Sequence, residues 1–416
     1  MPLCSFEDAE VGRLAPLAYT RAAFDLRVGA RTLLESQCAG FRDAGALALH
    51  VRAGVAGVVA ERHPHAVRAP AQRGTLYVNG RWRVTPGPAL DAVRAGATGA
   101  DARAFYQGDE LVALWDPAGA ADTSVDAFAA PAGVAREDLE GAELVSRLWH
   151  LLDDLQSRIA ADVAALGAAG VHDEARVRDG ARLVGADAIH LAHGATVRAG
   201  AIVTAEDGPV RIEAGATVEE HALVRGPCWI GAGVTVRAGA RVDGSAIGPH
   251  SKVAGEVHDS VIVGLSNKAH DGYLGNSYVG EWCNLGAGTD TSNLRNDYGE
   301  VSLWDPLAQD FVATGRQFLG LIMADHSKCA IGSRFNTGTL VGVACNWFGA
   351  RFPPRRLPSF SWGGDDGLEA YRLEKAMRVA EAVMARRGRA MTDADRQLLG
   401  DVFHATAGAR SAVFGG

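Results

Sequence analysis

Lysine is the scarcest cation here: Lys252, Lys268, Lys328 and Lys375 are the only four in 416 residues, and arginine supplies the rest of the 41 basic residues. Against 49 acidic residues this leaves a net charge of −8, without the basic domain or stripe that general nucleic-acid binding requires. The six cysteines (Cys4, Cys38, Cys228, Cys283, Cys329, Cys345) form no CxxC pair. Such scattered thiols read as reduced, buried small residues, and no structural metal site is expected. No uncharged apolar run reaches the roughly 18 residues needed to span a bilayer. The opening MPLCSFEDAEVG lacks the basic and apolar regions of a secretion signal, so a cytoplasmic protein is expected, with no membrane partner. Aromatic residues make up only 7% and proline only 15 residues, whereas glycine reaches 51 and hydrophobic residues 48%. That balance suits repeated tight corners around an aliphatic interior.

Residues 1–115 read as alternating strands and helices, with apolar runs at 46–51 and 76–78, which predicts an α/β domain with a mostly parallel sheet. Arg21 and Arg27, close to Gly29, could hold a nucleotide phosphate through paired donors or could pair with Asp25 and nearby acids. Residues 116–140, rich in Ala, Pro, Gly and Asp, read as a linker. Leu144, Leu148, Leu151, Leu155 and Ile159 then fall at helical spacing, predicting a long connecting helix over 142–166 within a segment that ends at 170.

From 171 to 348 a six-residue rhythm takes over, clearest in Ile230, Val236 and Val242. Aliphatic residues at that period predict a left-handed parallel β-helix, a coil of three short strands per turn. Such a coil leaves flanks uncovered, and a homotrimer is expected. The rhythm breaks at 294–317, where two apolar runs around DPLAQD predict a hairpin leaving the coil. The last segment, 349–416, opens with the extended RFPPRRLP and should close with helices over 368–387 and 393–405.

The stretch SNKAHDGYLGNSYVGEWCNLGAGTDTSN, 266–293, keeps the coil rhythm and adds polar residues that a coil does not need: Lys268, His270, Tyr273, Asn284 and Asn293. Histidine titrates near neutral pH and can take a proton from an amine. Gly286 and Gly288 would let a substrate approach backbone amides able to stabilise an oxyanion, although corner geometry alone also demands glycine there. Asn284 and Asn293 suit either a binding site or a ladder bonding corner carbonyls.

HDGYLGNSYVGEWCNLGAGT followed by SNLRNDYG resembles the acetyltransferase domain of the bifunctional enzymes that acetylate glucosamine-1-phosphate and then uridylylate the product. PLAYTRAAFDLRVGARTLLE is similar to the branch of that family with a short sugar-nucleotidyltransferase-like N-terminal domain, and GRQFLGLIMADHSKCAIG resembles the coil after its active site. The resemblance implies His270 as the general base, with Tyr273 and Asn293 orienting the sugar phosphate and Lys268 and Asn284 binding it. It implies acetyl-CoA at Gly286, Ala287 and Gly288, and Mg²⁺ only in an active N-terminal domain, which would use a nucleoside triphosphate; Lys328 and Arg316, near the next coil, could reach CoA phosphates or serve only the surface.

Two departures from that family point to a degenerate nucleotidyltransferase half. There is no glycine-rich loop before Thr20-Arg21 and no lysine before Lys252, and the strand at 75–78 runs into Asn79-Gly80-Arg81 where a metal-binding aspartate belongs. In the other half Ser302 stands where relatives often carry a cation. The competing readings are a nucleotidyltransferase using the β-helix as scaffold, a zinc-dependent hydratase and a non-catalytic sugar-nucleotide sensor. His190, His193, His258 and His270 form no paired metal set for the hydratase.

Overall fold

Period-two burial builds the first sheet. In Thr75–Asn79 (β4), Leu76 and Val78 enter one apolar cluster with Leu3, Trp82 and Phe105, while Tyr77 faces the opposite cluster of Phe6, Leu114 and Phe128. The computed structural model describes residues 1–68, 73–122, 128–167 and 169–414. Its seven-stranded sheet also contains β1 (Leu3–Phe6), β2 (Leu47–His50), β3 (Val67–Arg68), β5 (Arg103–Gln107), β6 (Glu110–Asp116) and β7 (Ala135–Asp138), in the order β3-β2-β1-β4-β6-β5-β7. The first four are mutually parallel; β6 is antiparallel to both β4 and β5. The connections include α1 (Leu33–Gly40), capped by Thr32 and Glu35, α2 (Ala53–Arg62) and α3 (Pro88–Gly96).

The stretch expected as a linker carries structure of its own. Asp116 accepts hydrogen bonds from the amides of Ala118, Gly119, Ala120 and Ala121, and β7 pairs with β5; residues 123–127 of this stretch lie outside the described residues. The expected long helix over 142–166 is cut short. Glu143–Leu144 pairs with Trp82–Arg83, Asp154 takes a left-handed φ of 47°, and only then does α4 (Leu155–Ala165) begin. Leucines at helical spacing do not decide a helix when one residue between them leaves the right-handed region.

A second compact unit holds the solenoid. Three parallel sheets run along it, one from Gly170 to Leu357 and another from Arg176 to Gly364. Ile230, Val236 and Val242, six apart, are buried one on each face of a single coil. Along one face the inward positions register as Val218, Val236, Val253, Lys268, and farther on Leu285, Cys329 and Trp347. A lysine thus stands in an aliphatic column.

Val301–Asp305 and Asp310–Arg316 form the antiparallel hairpin expected to leave the coil. In the tail, Gly367–Ala370 pairs back onto Ser361–Gly364, so the first helix, α5, starts at Leu373 and not at 368. α6 (Asp393–Ala405) has the expected limits, and α7 (Ala407–Phe414) follows. The nucleotidyltransferase-like α/β domain, the left-handed β-helix and the C-terminal helices are all present. Among the described residues no helix is long and apolar enough to cross a membrane.

Candidate functional site

Three coils stack their corners beneath one histidine. His270 occupies the turn between the strands Asn267–Lys268 and Tyr273–Gly275; it is exposed, and its ring makes no hydrogen bond to the described residues. One coil on, the Gly288 amide donates to Asp271 O at 3.0 Å, and one further, the Gly332 amide donates to Ala287 O at 2.7 Å. Gly286 is required at this corner because a Cβ would fall 2.4 Å from the Ala330 backbone, and Gly288 adopts φ +67°.

The oxyanion expectation changes in detail. The Gly286 amide is spent on Cys329 O at 3.2 Å and the Gly288 amide on Asp271 O. Of the three corner amides only that of Ala287 has no partner among the described residues.

Tyr273 and Asn293 come together. Asn293 Nδ2 lies 3.0 Å from the Tyr273 hydroxyl and 2.7 Å from Asn276 Oδ1, and the Tyr273 amide donates to Asp290 at 2.7 Å. Burial raises the Tyr273 phenol's pKa, helped by the negative charge of Glu256, so it stays protonated and can donate. The ring lies along its own strand: a Cβ on Gly275 would sit 2.2 Å from the hydroxyl. Asn276 had no individual sequence signal beyond its place after Leu274-Gly275, and its φ of +44° puts it among the residues that accept left-handed geometry.

The other expected site residues are placed differently. Lys268 is not at the surface: it is 1% exposed, and its ammonium donates to His270 O at 2.5 Å and Ala254 O at 3.3 Å. Burial pulls its pKa down to about 8. It therefore holds the His270 turn from inside the coil. Asn284 is exposed and accepts from Asn267 Nδ2 at 3.4 Å, a ladder contact along the outside of one face. Lys328 continues that outer column, donates to His326 O at 2.8 Å, and is likewise lowered to about 8 by burial. Arg316 is paired with Asp153, its Nε at 2.9 Å.

Neither N-terminal arginine faces outward. Arg21 is 1% exposed; Arg27 is buried, with its guanidinium 4.5 Å above the Trp229 ring and bonded to Ala30 O, and its amide donating to the Tyr278 hydroxyl at 3.0 Å. The strand order reverses between β1 and β4, and the carboxyl ends there are the usual place for a ligand in such a sheet. In this chain protein groups occupy them. Glu7, fully buried, bonds Arg52 Nη1 at 2.5 Å and the Ala23 amide at 2.8 Å; Arg81 bonds Asp8 at 2.9 and 2.6 Å and Glu110 at 2.8 Å. Carboxylates already neutralised by arginines do not fit a magnesium ion. Among the described residues no group of three or more metal-binding side chains comes together.

Residues 3–169 match the sugar nucleotidyl transferase family. The bifunctional protein GlmU of Methanocaldococcus jannaschii is 39% identical over 95 residues, 23% of this chain and 22% of that protein. The bifunctional sugar-1-phosphate nucleotidylyltransferase/acetyltransferase of Sulfurisphaera tokodaii is 34% identical over 88 residues, 21% of each. These matches span about a fifth of each relative's length. Among solved structures, the Arabidopsis UDP-N-acetylglucosamine acyltransferase matches at 13% identity and a TM-score of 0.23, over 60% of this chain and 93% of that one, a likeness too slight to bear on function. Residues 3–169 are thus similar to the sugar nucleotidyl transferase family, and about a fifth of the chain is similar to bifunctional nucleotidylyltransferase/acetyltransferase proteins.

Proposed function

We propose that the β-helix carries an acetyl-CoA-dependent N-acetyltransferase acting on an amino-sugar phosphate such as glucosamine-1-phosphate, and that the N-terminal domain is a degenerate nucleotidyltransferase. The observation that carries this reading is His270, exposed and with no ring hydrogen bond to the described residues, on a turn fixed from within, beside a corner whose Ala287 amide has no partner among them.

The chemistry needs little more. The acceptor's amine attacks the thioester carbonyl, a C–N bond forms, His270 takes the ammonium proton, and the C–S bond breaks as the tetrahedral oxyanion collapses. The CoA thiolate leaves and recovers a proton from His270. The Ala287 amide donates to the oxyanion, and Tyr273 with Asn293 holds the acceptor. A homotrimer would bring a neighbouring coil to the exposed corner residues Ile331 and Phe348, 78% and 48% exposed.

CoA release from acetyl-CoA with glucosamine-1-phosphate tests the reading. Native protein should turn over and His270→Ala should lose about a hundredfold or more with its fold intact. No release with this acceptor or a panel of amino sugars would remove the acetyltransferase reading.

A further inference from the structure

A groove of about 590 Å³ opens beside the Asn293 loop, between that loop, the hairpin and the last coils. Ser292 and Leu294, on either side of Asn293, form one wall; Asn336, Thr337, Phe352 and Arg355 are among the residues that complete it. Arg355 is the unusual member. Its guanidinium is half-buried, lies 4.6 Å from the Phe311 ring centroid, and donates through Nε to Thr337 O at 3.1 Å and through Nη2 to Ser302 O and to Ser302 Oγ at 3.1 Å. All of these acceptors are neutral. No carboxylate among the described residues pairs with Arg355, and Nη1 makes no hydrogen bond to them. By contrast Arg295, in the same groove, is paired with Asp297 at 2.5 Å.

A held, uncompensated cation in a half-buried groove is a cost unless a bound anion repays it. Burial, with the nearby charge of Arg295, lowers the pKa of Arg355, as expected for a cation lacking its counter-charge. The other groups suit a phosphorylated polyol: Ser292, Asn336 and Thr337 offer hydrogen bonds to hydroxyls, and Phe352, 54% exposed, offers a flat apolar face.

We propose that this groove binds a phosphate ester, with Arg355 holding the phosphate through Nη1. Arg355 reaches across the groove to Ser302 on the hairpin. The ligand class rests on the acetyltransferase reading, in which both acceptor and acetyl-CoA carry phosphates, and the two sources are separable.

The test is calorimetric titration of the full chain with glucosamine-1-phosphate, glucosamine, CoA and 3′-dephospho-CoA, repeated with Arg355→Gln and Arg355→Lys. Native protein should bind one phosphorylated ligand at least tenfold more tightly than its dephosphorylated partner. Arg355→Gln should abolish that preference, and Arg355→Lys should restore part of it. Loss confined to glucosamine-1-phosphate identifies the acceptor's phosphate; loss confined to CoA identifies the 3′-phosphate. If Arg355→Gln fails to fold, Arg355→Lys and the native ligand pairs still decide. Equal native affinity within both pairs, no native binding of any ligand, or a folded Arg355→Gln that binds like native overturns the proposal. Phosphate-selective binding without CoA release would keep the groove and remove the acetyltransferase reading.

Discussion

Lys268 illustrates how far a residue's chemistry can be read before its direction is known. The scarcity of lysine marked it, and the resemblance gave it to the substrate; the register puts it inside the coil, opposite Val253, where its ammonium holds the carbonyls of Ala254 and His270. Spacing of six cannot separate an inward lysine from an outward one when the neighbouring coil departs from strict period. The placement has a measurable consequence. Its pKa falls from the ordinary 10.5 to about 8 through burial. Between those pH values the unfolded chain holds a proton that the folded chain has released, so stability rises with pH across that window and this group's penalty is greatest below pH 8. The penalty is about 3 kcal/mol. Denaturant titrations of native protein and Lys268→Met at pH 7.5 and 10.5 should therefore show the native protein gaining about 3 kcal/mol relative to the variant. An unchanged difference between the two proteins would place the ammonium in solvent.

Tyr273 depends on a neighbour that has no side chain. Its hydroxyl reaches Asn293 only because Gly275 leaves the strand surface open; a Cβ there would meet the hydroxyl at 2.2 Å and the ring carbons at 2.5 and 2.6 Å. Gly275→Ala should move the ring and break the bond, so its loss of CoA release should match that of Tyr273→Phe within a few-fold. Near-native turnover in Gly275→Ala would show that the Tyr273–Asn293 contact is not used. The glycine was visible in the Leu-Gly rhythm, but its service to a tyrosine two residues back was not.

Among the elements, the solenoid was the most legible because its period is its structure: Ile230, Val236 and Val242 mark three faces of one coil. Its corners were legible in kind but not in use. Gly286 and Gly288 read alike in GAGT, yet they face different constraints. At Gly286 a Cβ collides with Ala330 backbone at 2.4 Å, whereas at Gly288 the nearest atom is 3.8 Å away and only the φ of +67° resists. Gly288→Ala should cost about 1–2 kcal/mol, the ordinary penalty of a left-handed alanine. Gly286→Ala should cost more, because two coils must separate. Chemical denaturation of both variants checks the order, and equal losses would mean that the coils yield without cost. The connecting helix was overread for the opposite reason: its leucines kept helical spacing through Asp154, whose left-handed backbone ends one element before α4 begins.

At the scale of the whole molecule, the proposed function gives one chain two sites in different condition. The missing glycine loop and the arginine after β4 pointed to a degenerate first site, but sequence could not say what replaced the lost groups. Here Arg52 neutralises Glu7, and Arg81, fully buried, binds both Asp8 and Glu110. Phosphoryl transfer relies on cations and metal ions that are free to meet a triphosphate. Arginines and carboxylates that neutralise one another are not free in this sense, and separating them is expensive. Removing one partner of a buried pair typically costs about 3–5 kcal/mol, since the other charge is left alone. Arg81→Met should therefore lower stability by about that amount and gain no nucleotide binding, whereas removing an arginine that merely blocked a working site would bring nucleotide binding back. Titration of UTP with Mg²⁺ into native protein should give no heat of binding, and incubation with glucosamine-1-phosphate or its acetylated product should release no pyrophosphate. Metal-dependent pyrophosphate release by native protein would mean that the ion pairs open for substrate, and the first domain would then have to be counted as a working enzyme.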